Sequence, residues 1–99
     1  MRRFENKEGK VIYFGIENVR IIQNNYPEGT LELSISLYPV GSGRYSSFIY
    51  TTEPTSKIES CLERIAEEFL NDNKSSYSTR EISKILSKFV SPIFPVVAD

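Results

Sequence analysis

Apolar and polar residues alternate through the first half of the chain, and from Pro54 onward apolar residues recur at helical spacing. The clearest alternation runs from Thr30 to Tyr38. The residues that share one side of this segment are Leu31, Leu33, Ile35 and Leu37. A period of two over this length predicts a strand that is buried on one face only.

Further strands are expected on both sides of that segment. Residues 2–5 predict a frayed edge strand, and a turn at 6–9 with glycine in its last position leads into the β-rich stretch 11–22. Gly15 interrupts this stretch and predicts a bulge or a bend. A glycine-containing turn then precedes a last strand at 44–52. The pattern therefore predicts a meander of antiparallel strands.

The second half carries the same capping signature twice, at Ser56–Glu59 and at Ser78–Glu81. In a capping box the serine accepts a hydrogen bond from the backbone three residues on, and the glutamate reaches back to the serine's backbone. The two signatures predict helices over residues 57–70 and 79–90, the second ended by Pro92.

The apolar stripes of these helices are expected to pack on the sheet. Their residues are Ile58, Leu62, Ile65 and Phe69 in the first helix, and Ile82, Ile85, Leu86 and Phe89 in the second. The expected fold class is α+β, with a three- to five-strand antiparallel β-meander and both helices on one face of the sheet. We expect one domain, with the meander at 1–52, the two helices at 56–90 and an extended apolar tail at 91–99.

Composition restricts the classes of function. The chain has 99 residues, 39% of them hydrophobic and 25% charged, and a net charge of −1, so no overall charge draws it toward nucleic acid. It contains no histidine, which removes the commonest general base and metal ligand. We therefore expect no catalytic residues, no metal site and no cofactor. Little alanine with much serine and isoleucine suits an AT-rich genome, such as that of a phage or plasmid.

The cellular compartment is inferred from cysteine and from apolar runs. The single cysteine, Cys61, cannot form a disulfide within the chain, and we interpret it as a structural residue at the margin of the first helical stripe. The N-terminal residues lack the apolar core of a secretory signal, and no apolar run is long enough to span a bilayer. The expected location is the cytoplasm, and no membrane partner is expected.

Two charge ladders on the helices are candidate contact surfaces. Glu59, Glu63 and Glu67 recur every four residues on the first helix, and like charges at this spacing cost helix stability, which suggests a partner. Arg80, Lys84 and Lys88 form a basic ladder on the second helix that suits phosphates or an acidic partner. A solvated helix face is the alternative interpretation of each ladder.

An aromatic surface is the second candidate for nucleic-acid binding. This surface forms if four residues share the open face of the sheet. They are Tyr38, Arg44, Phe48 and Tyr50. Bases could then stack on the rings. The last strand leaves its facing open, because Tyr45 and Ile49 suit the outward positions equally well.

The C-terminal tail is apolar and contains two prolines, so an extended form is expected. Its apolar residues are Ile93, Phe94, Val96 and Val97. We expect the tail to fold back on the domain, and docking on a partner as an added strand is the alternative. Together these features predict a non-enzymatic protein that acts through protein contacts, as a homodimer, in the manner of a phage or plasmid inhibitor or adaptor. Nucleic-acid binding is the alternative function.

Overall fold

Each strand of the sheet pairs with the next strand along the chain, in the order β1-β2-β3-β4, and all pairs are antiparallel. The computed structural model describes residues 1–74 and 76–93. Its elements are β1 (Arg2–Glu5), β2 (Val11–Ile21), β3 (Leu31–Pro39), β4 (Tyr45–Thr51), α1 (Thr55–Asn71) and α2 (Thr79–Leu86). A four-strand meander followed by two helices confirms the expected α+β class.

The core lies between the helices and one face of the sheet, which we call the inner face. The alternating leucines and isoleucine of β3 point into it, and Leu33 and Leu37 are completely buried. The helical stripes were predicted correctly at Ile58, Leu62, Ile65, Phe69, Ile82 and Leu86, all of them buried. Ile85 and Phe89 also pack against the core, but they are only partly buried at its margin.

The first predicted capping box is absent. α1 begins at Thr55, one residue before Ser56. Pro54 precedes it in an extended conformation, and no side chain caps the helix. The Pro54 carbonyl accepts a hydrogen bond from the Lys57 N–H at 3.1 Å. Pro54 therefore occupies the N-cap position, and Ser56 already lies within the first turn of the helix, where its side chain does not cap the helix.

The second capping box is present, but α2 is shorter than predicted. The Ser78 side chain accepts from the Glu81 N–H at 3.1 Å, and the Glu81 carboxylate accepts from the Ser78 N–H at 3.2 Å. The helix ends at Leu86 and not at Val90. The Ser87 N–H still donates to the Ser83 carbonyl at 2.9 Å, but the next bonds tighten to a three-residue spacing, from the Lys88 N–H to the Ile85 carbonyl at 3.1 Å and from the Phe89 N–H to the Leu86 carbonyl at 3.0 Å.

The bulge of β2 lies at Glu17 and not at Gly15. Gly15 pairs regularly with Ser36, and the register shifts only between Ile16 and Asn18. A β-carbon at Gly15 would lie 3.4 Å from the Met1 Cα, an ordinary van der Waals distance, so the N-terminal backbone packs close to this position without requiring a glycine there.

The two ends of the sheet differ, and we call them the turn end and the loop end. The turn end contains the β1–β2 turn, residues 6–10, and the loop end contains residues 22–30. α1 begins at the loop end after β4 and finishes at the turn end, where the Leu70 carbonyl accepts from the Asn6 amide at 3.0 Å. This oblique path leaves the loop end of β2 uncovered, with Val19 41% and Ile21 72% exposed.

Candidate functional site

The outer face of the sheet carries the aromatic residues that the sequence singled out. In β4, Ile49 is buried opposite Leu33, whereas Phe48 is 56% exposed. Tyr45 packs against the core, and Tyr50 is half-buried on the outer face. The structure therefore decides the open question of the last strand, since Phe48 and Tyr50 point outward.

The four predicted residues of the aromatic surface form two groups rather than one. Phe48 lies opposite Ser34, whereas Tyr38 lies four residues farther along β3 and opposite Tyr13. At about 3.3 Å per residue the two aromatic positions are roughly 13 Å apart. Tyr38 and Arg44 occupy the turn end, and Phe48 and Tyr50 lie toward the loop end.

Arg44 is held on the outer face of the sheet by three contacts. It forms an ion pair with Glu17, donates to the Ser36 hydroxyl at 3.1 Å, and lies 5.7 Å from the centre of the Tyr38 ring. The bulge in β2 turns the Glu17 side chain to the outer face, as bulges commonly do. Arg44 is therefore engaged within the protein.

The loop-end group contains a residue that the sequence analysis missed. Tyr26, from the loop between β2 and β3, stacks on Tyr50 with ring centres 4.7 Å apart and an angle of 21°. Burial and the neighbouring Glu32 carboxylate raise the pKa of Tyr50. We call Tyr26, Phe48 and Tyr50 the aromatic cluster. No strand pattern identifies Tyr26, because its position depends on how the loop folds back.

The three arginines of the outer face are each neutralised by a glutamate. Arg20 and Glu32 are 3.5 Å apart, Arg3 and Glu5 are 3.5 Å apart, and Arg44 pairs with Glu17. The outer face therefore has aromatic surface without an excess of positive charge.

The basic ladder of the second helix is only partly available. Lys88, just beyond the end of α2, pairs with Glu68 of α1 at 3.2 Å. Arg80 and Lys84 are exposed and have no ion-pair partner among the residues that the structure describes.

The glutamate ladder of α1 does not act as one unit. Glu63 pairs with Arg2 of β1 at 3.2 Å. Glu59 and Glu67 are exposed, and neither has an ion pair within the described ranges. Within the described residues an ion pair therefore neutralises Glu63 alone of the three carboxylates.

The start of the tail lies along the edge of β4. The Ile93 N–H donates to the Tyr50 carbonyl at 2.7 Å, and the Ser91 N–H donates to the Glu53 carboxylate at 3.4 Å. Phe94, Val96 and Val97, which belong to the predicted protein-binding tail, lie outside the described residues.

Lys10 forms a cluster of contacts that sequence reasoning did not find. Its ammonium group donates to the carbonyls of Phe69, Asp72 and Lys74 at 3.0, 2.9 and 3.1 Å, and to the Asp72 carboxylate at 3.3 Å. α1 has no basic residue in its last turn, and Lys10 supplies the positive charge that a helix C-terminus favours. The absence of such a residue was the only signal in the sequence.

Tyr77 completes this region by hydrogen bonding to the same carboxylate. Its hydroxyl donates to Asp72 at 2.6 Å, and its ring meets Phe69 edge-on at 5.4 Å. Burial, and then the Asp72 carboxylate, raise the pKa of Tyr77 well above the usual tyrosine value. These contacts support the end of α1.

The described residues show neither a candidate metal site nor a membrane-spanning helix. Within 1–74 and 76–93 no group of three or more His, Cys, Asp or Glu side chains is placed to hold a metal ion. Neither described helix has the length and apolar content needed to cross a membrane. Cys61 is buried on α1, as a structural cysteine would be.

Comparison with protein-family models, curated proteins and solved structures finds no match.

Proposed function

We propose that the protein acts without catalysis, by binding another protein through the aromatic cluster on the outer face of its sheet. The observation that carries this proposal is Phe48, a large apolar side chain left 56% exposed beside the stacked pair Tyr26 and Tyr50. Aromatic side chains are enriched at the centres of protein interfaces, where a few residues supply most of the binding energy.

The surroundings of the cluster suit a protein interface. Asn18 and Ser34 lie in the same cross-strand row as Phe48, and they offer polar groups at the border of the apolar rings. An apolar centre with a polar rim is the usual arrangement of such surfaces. Tyrosine and phenylalanine also lose little conformational freedom on binding, because each has only two side-chain torsions.

The charges on this face favour a protein over nucleic acid. Nucleic-acid binding draws much of its affinity from basic side chains that neutralise phosphates. Here Arg20 pairs with Glu32, and Arg44 pairs with Glu17. An approaching phosphate would have to displace a carboxylate from each guanidinium.

The test compares Phe48→Ser with a matched control, Val40→Ser. Val40 is equally exposed, at 64%, but lies in the turn after β3. Each immobilised variant is incubated with the same cell extract, and each protein that the wild type retains is purified and titrated against both variants by calorimetry. Loss of a central aromatic anchor should weaken binding by about 2 kcal/mol or more, near 30-fold, and V40S should bind like the wild type. Equal binding by F48S and the wild type would show that the aromatic cluster is not the binding surface.

Nucleic-acid binding through the second helix is a second candidate, because Arg80 and Lys84 are exposed without a partner among the described residues. Fluorescence anisotropy with a mixed-sequence oligonucleotide at low and moderate salt tests it. If the candidate is right, Lys84→Glu weakens binding and flattens its dependence on salt, whereas Lys7→Glu in the β1–β2 turn has a smaller effect. Binding that survives K84E excludes α2.

A further inference from the structure

The loop-end half of β2 is an open edge of the sheet. β1 pairs only with Val11–Phe14, so within the described residues Ile16–Ile21 has β3 on one side and no strand on the other. In antiparallel strands alternate residues direct both backbone polar groups to the same neighbour. The Ile22 N–H donates to the Thr30 carbonyl, so Val19 and Ile21 present their backbone groups to the open edge.

The side chains of these two residues are uncovered as well. Val19 lies opposite Leu33 and Ile21 opposite Leu31, so both project on the inner face, where α1 does not reach them. An unpaired strand that also exposes apolar side chains is a surface that proteins normally avoid or use.

The opposite edge of the sheet, along β4, receives hydrogen bonds from other residues of the chain. Along β4, the Ile93 N–H donates to the Tyr50 carbonyl at 2.7 Å, and the Thr79 hydroxyl donates to the Ser46 carbonyl at 3.4 Å. The described residues thus cover one edge of the sheet and leave the loop end of β2 without a neighbouring strand.

We propose that a second copy of this chain binds this open edge, with the two β2 strands antiparallel about a two-fold axis at Arg20. This register places Val19 opposite Ile21 of the second copy, and Ile21 opposite its Val19. Both residues face the edge, so their N–H and carbonyl groups pair across the axis, and four apolar side chains meet on the inner face. A register shifted by one residue would separate those side chains onto opposite faces. The surface is therefore complementary to itself, as a two-fold interface requires, and this argues for a second copy over an unrelated peptide.

The charged side chains on the outer face of β2 are compatible with this arrangement. The two-fold axis brings Arg20 next to Arg20 of the second copy, and like charges opposite each other destabilise strand pairs. Each Arg20 pairs with its own Glu32 at 3.5 Å, so the four charges cancel.

Asn18 opposes the pairing. Its side-chain oxygen accepts a hydrogen bond from the Val19 N–H at 3.0 Å, which occupies an edge donor that the second copy needs. Polar side chains and bulges at an edge are common ways of restraining strand pairing. The dimer must therefore displace Asn18, and its side chain limits the affinity.

Analytical ultracentrifugation over a concentration series tests the proposal with substitutions of opposite expected effect. Ile21→Lys should raise the dimer dissociation constant by at least about tenfold, because a charge replaces the apolar contact. Asn18→Ala should lower it by about three- to tenfold, because the Val19 N–H becomes free. Val40→Lys, at an exposed apolar position in the β3–β4 turn, should leave it unchanged.

Hydrogen exchange of the wild type at low and high protein concentration provides the second measurement. Slower exchange of the Val19 and Ile21 amides at high concentration supports the pairing. A chain that stays monomeric to about 1 mM overturns it, as does a dimer that N18A does not strengthen or whose amides exchange unchanged. A circular dichroism spectrum of each variant shows that it has folded. Ile21→Lys lies on the inner face and leaves the aromatic cluster and its polar rim intact, whereas Asn18→Ala changes that rim. Failure of the dimer test with I21K therefore does not affect the function proposed above.

Discussion

The turn end and the loop end of the sheet differ in how their side chains are satisfied. At the turn end, Phe69 lies between Phe14 and Tyr77, with ring centres 5.5 and 5.4 Å away, and Lys10 closes the end of α1 with four hydrogen bonds. At the loop end, Ile21 and Phe48 remain largely exposed. The same types of residue thus stabilise the fold at one end and remain available for contact at the other.

The largest expected effect contrasts one phenylalanine from each end. Phe69→Ala removes a completely buried ring and should lower the free energy of unfolding by about 3–5 kcal/mol, because it leaves a cavity in the aromatic core. Phe48→Ala should change it by less than about 0.5 kcal/mol, because that ring is mostly in water. Urea denaturation of the two variants measures both values. Similar losses at the two positions would show that the loop end also holds the fold together.

A smaller effect is expected at the end of α1. Lys10→Met retains the length of the side chain but removes a charged donor from three carbonyls and a carboxylate, so we expect a loss of about 1–3 kcal/mol. Lys7→Met is the matched control, since Lys7 is exposed in the same turn. The two variants are compared by thermal and urea denaturation. Equal stability of K10M and K7M would mean that the Lys10 contacts contribute nothing measurable.

The smallest effect depends on pH. Tyr77→Phe removes the hydrogen bond to Asp72 and should cost about 1 kcal/mol at neutral pH. Because folding raises the pKa of Tyr77, its contribution is complete below about pH 10 and is lost as the pH rises toward the folded-state value. The stability advantage of the wild type over Y77F should therefore shrink between about pH 10 and pH 11 in urea titrations. An advantage that stays constant across this range would contradict the assignment.

The strands and helices follow from local patterns, and so most of the fold was predictable. Alternation placed β3, and the spacing of Ile58, Leu62, Ile65 and Phe69 placed the buried side of α1. These predictions succeed because the side-chain periods of a strand and of a helix are set by the local backbone geometry of neighbouring residues. The capping signature was less reliable. The Ser78 box forms, whereas Ser56 lies inside a helix that begins after Pro54.

The candidate surfaces were less predictable, because their residues come together from distant parts of the chain. Tyr26 reaches Tyr50 only because the loop folds back over β4, and Lys88 meets Glu68 only because the helices lie side by side. No spacing in the sequence encodes such a distance.

Local chemistry along the chain was therefore enough to establish the α+β class, the strand order of the meander and the inward side of each helix. Tertiary packing decided the rest. In β4, alternate positions on both sides carry large apolar groups, and contact with the helices selected Ile49 for the core and left Phe48 outside. The path of α1 from β4 toward β1 likewise determined that Val19 and Ile21, apolar and correctly patterned for a core, stay exposed. Burial depends on which elements cover a residue, and that is a property of the whole fold.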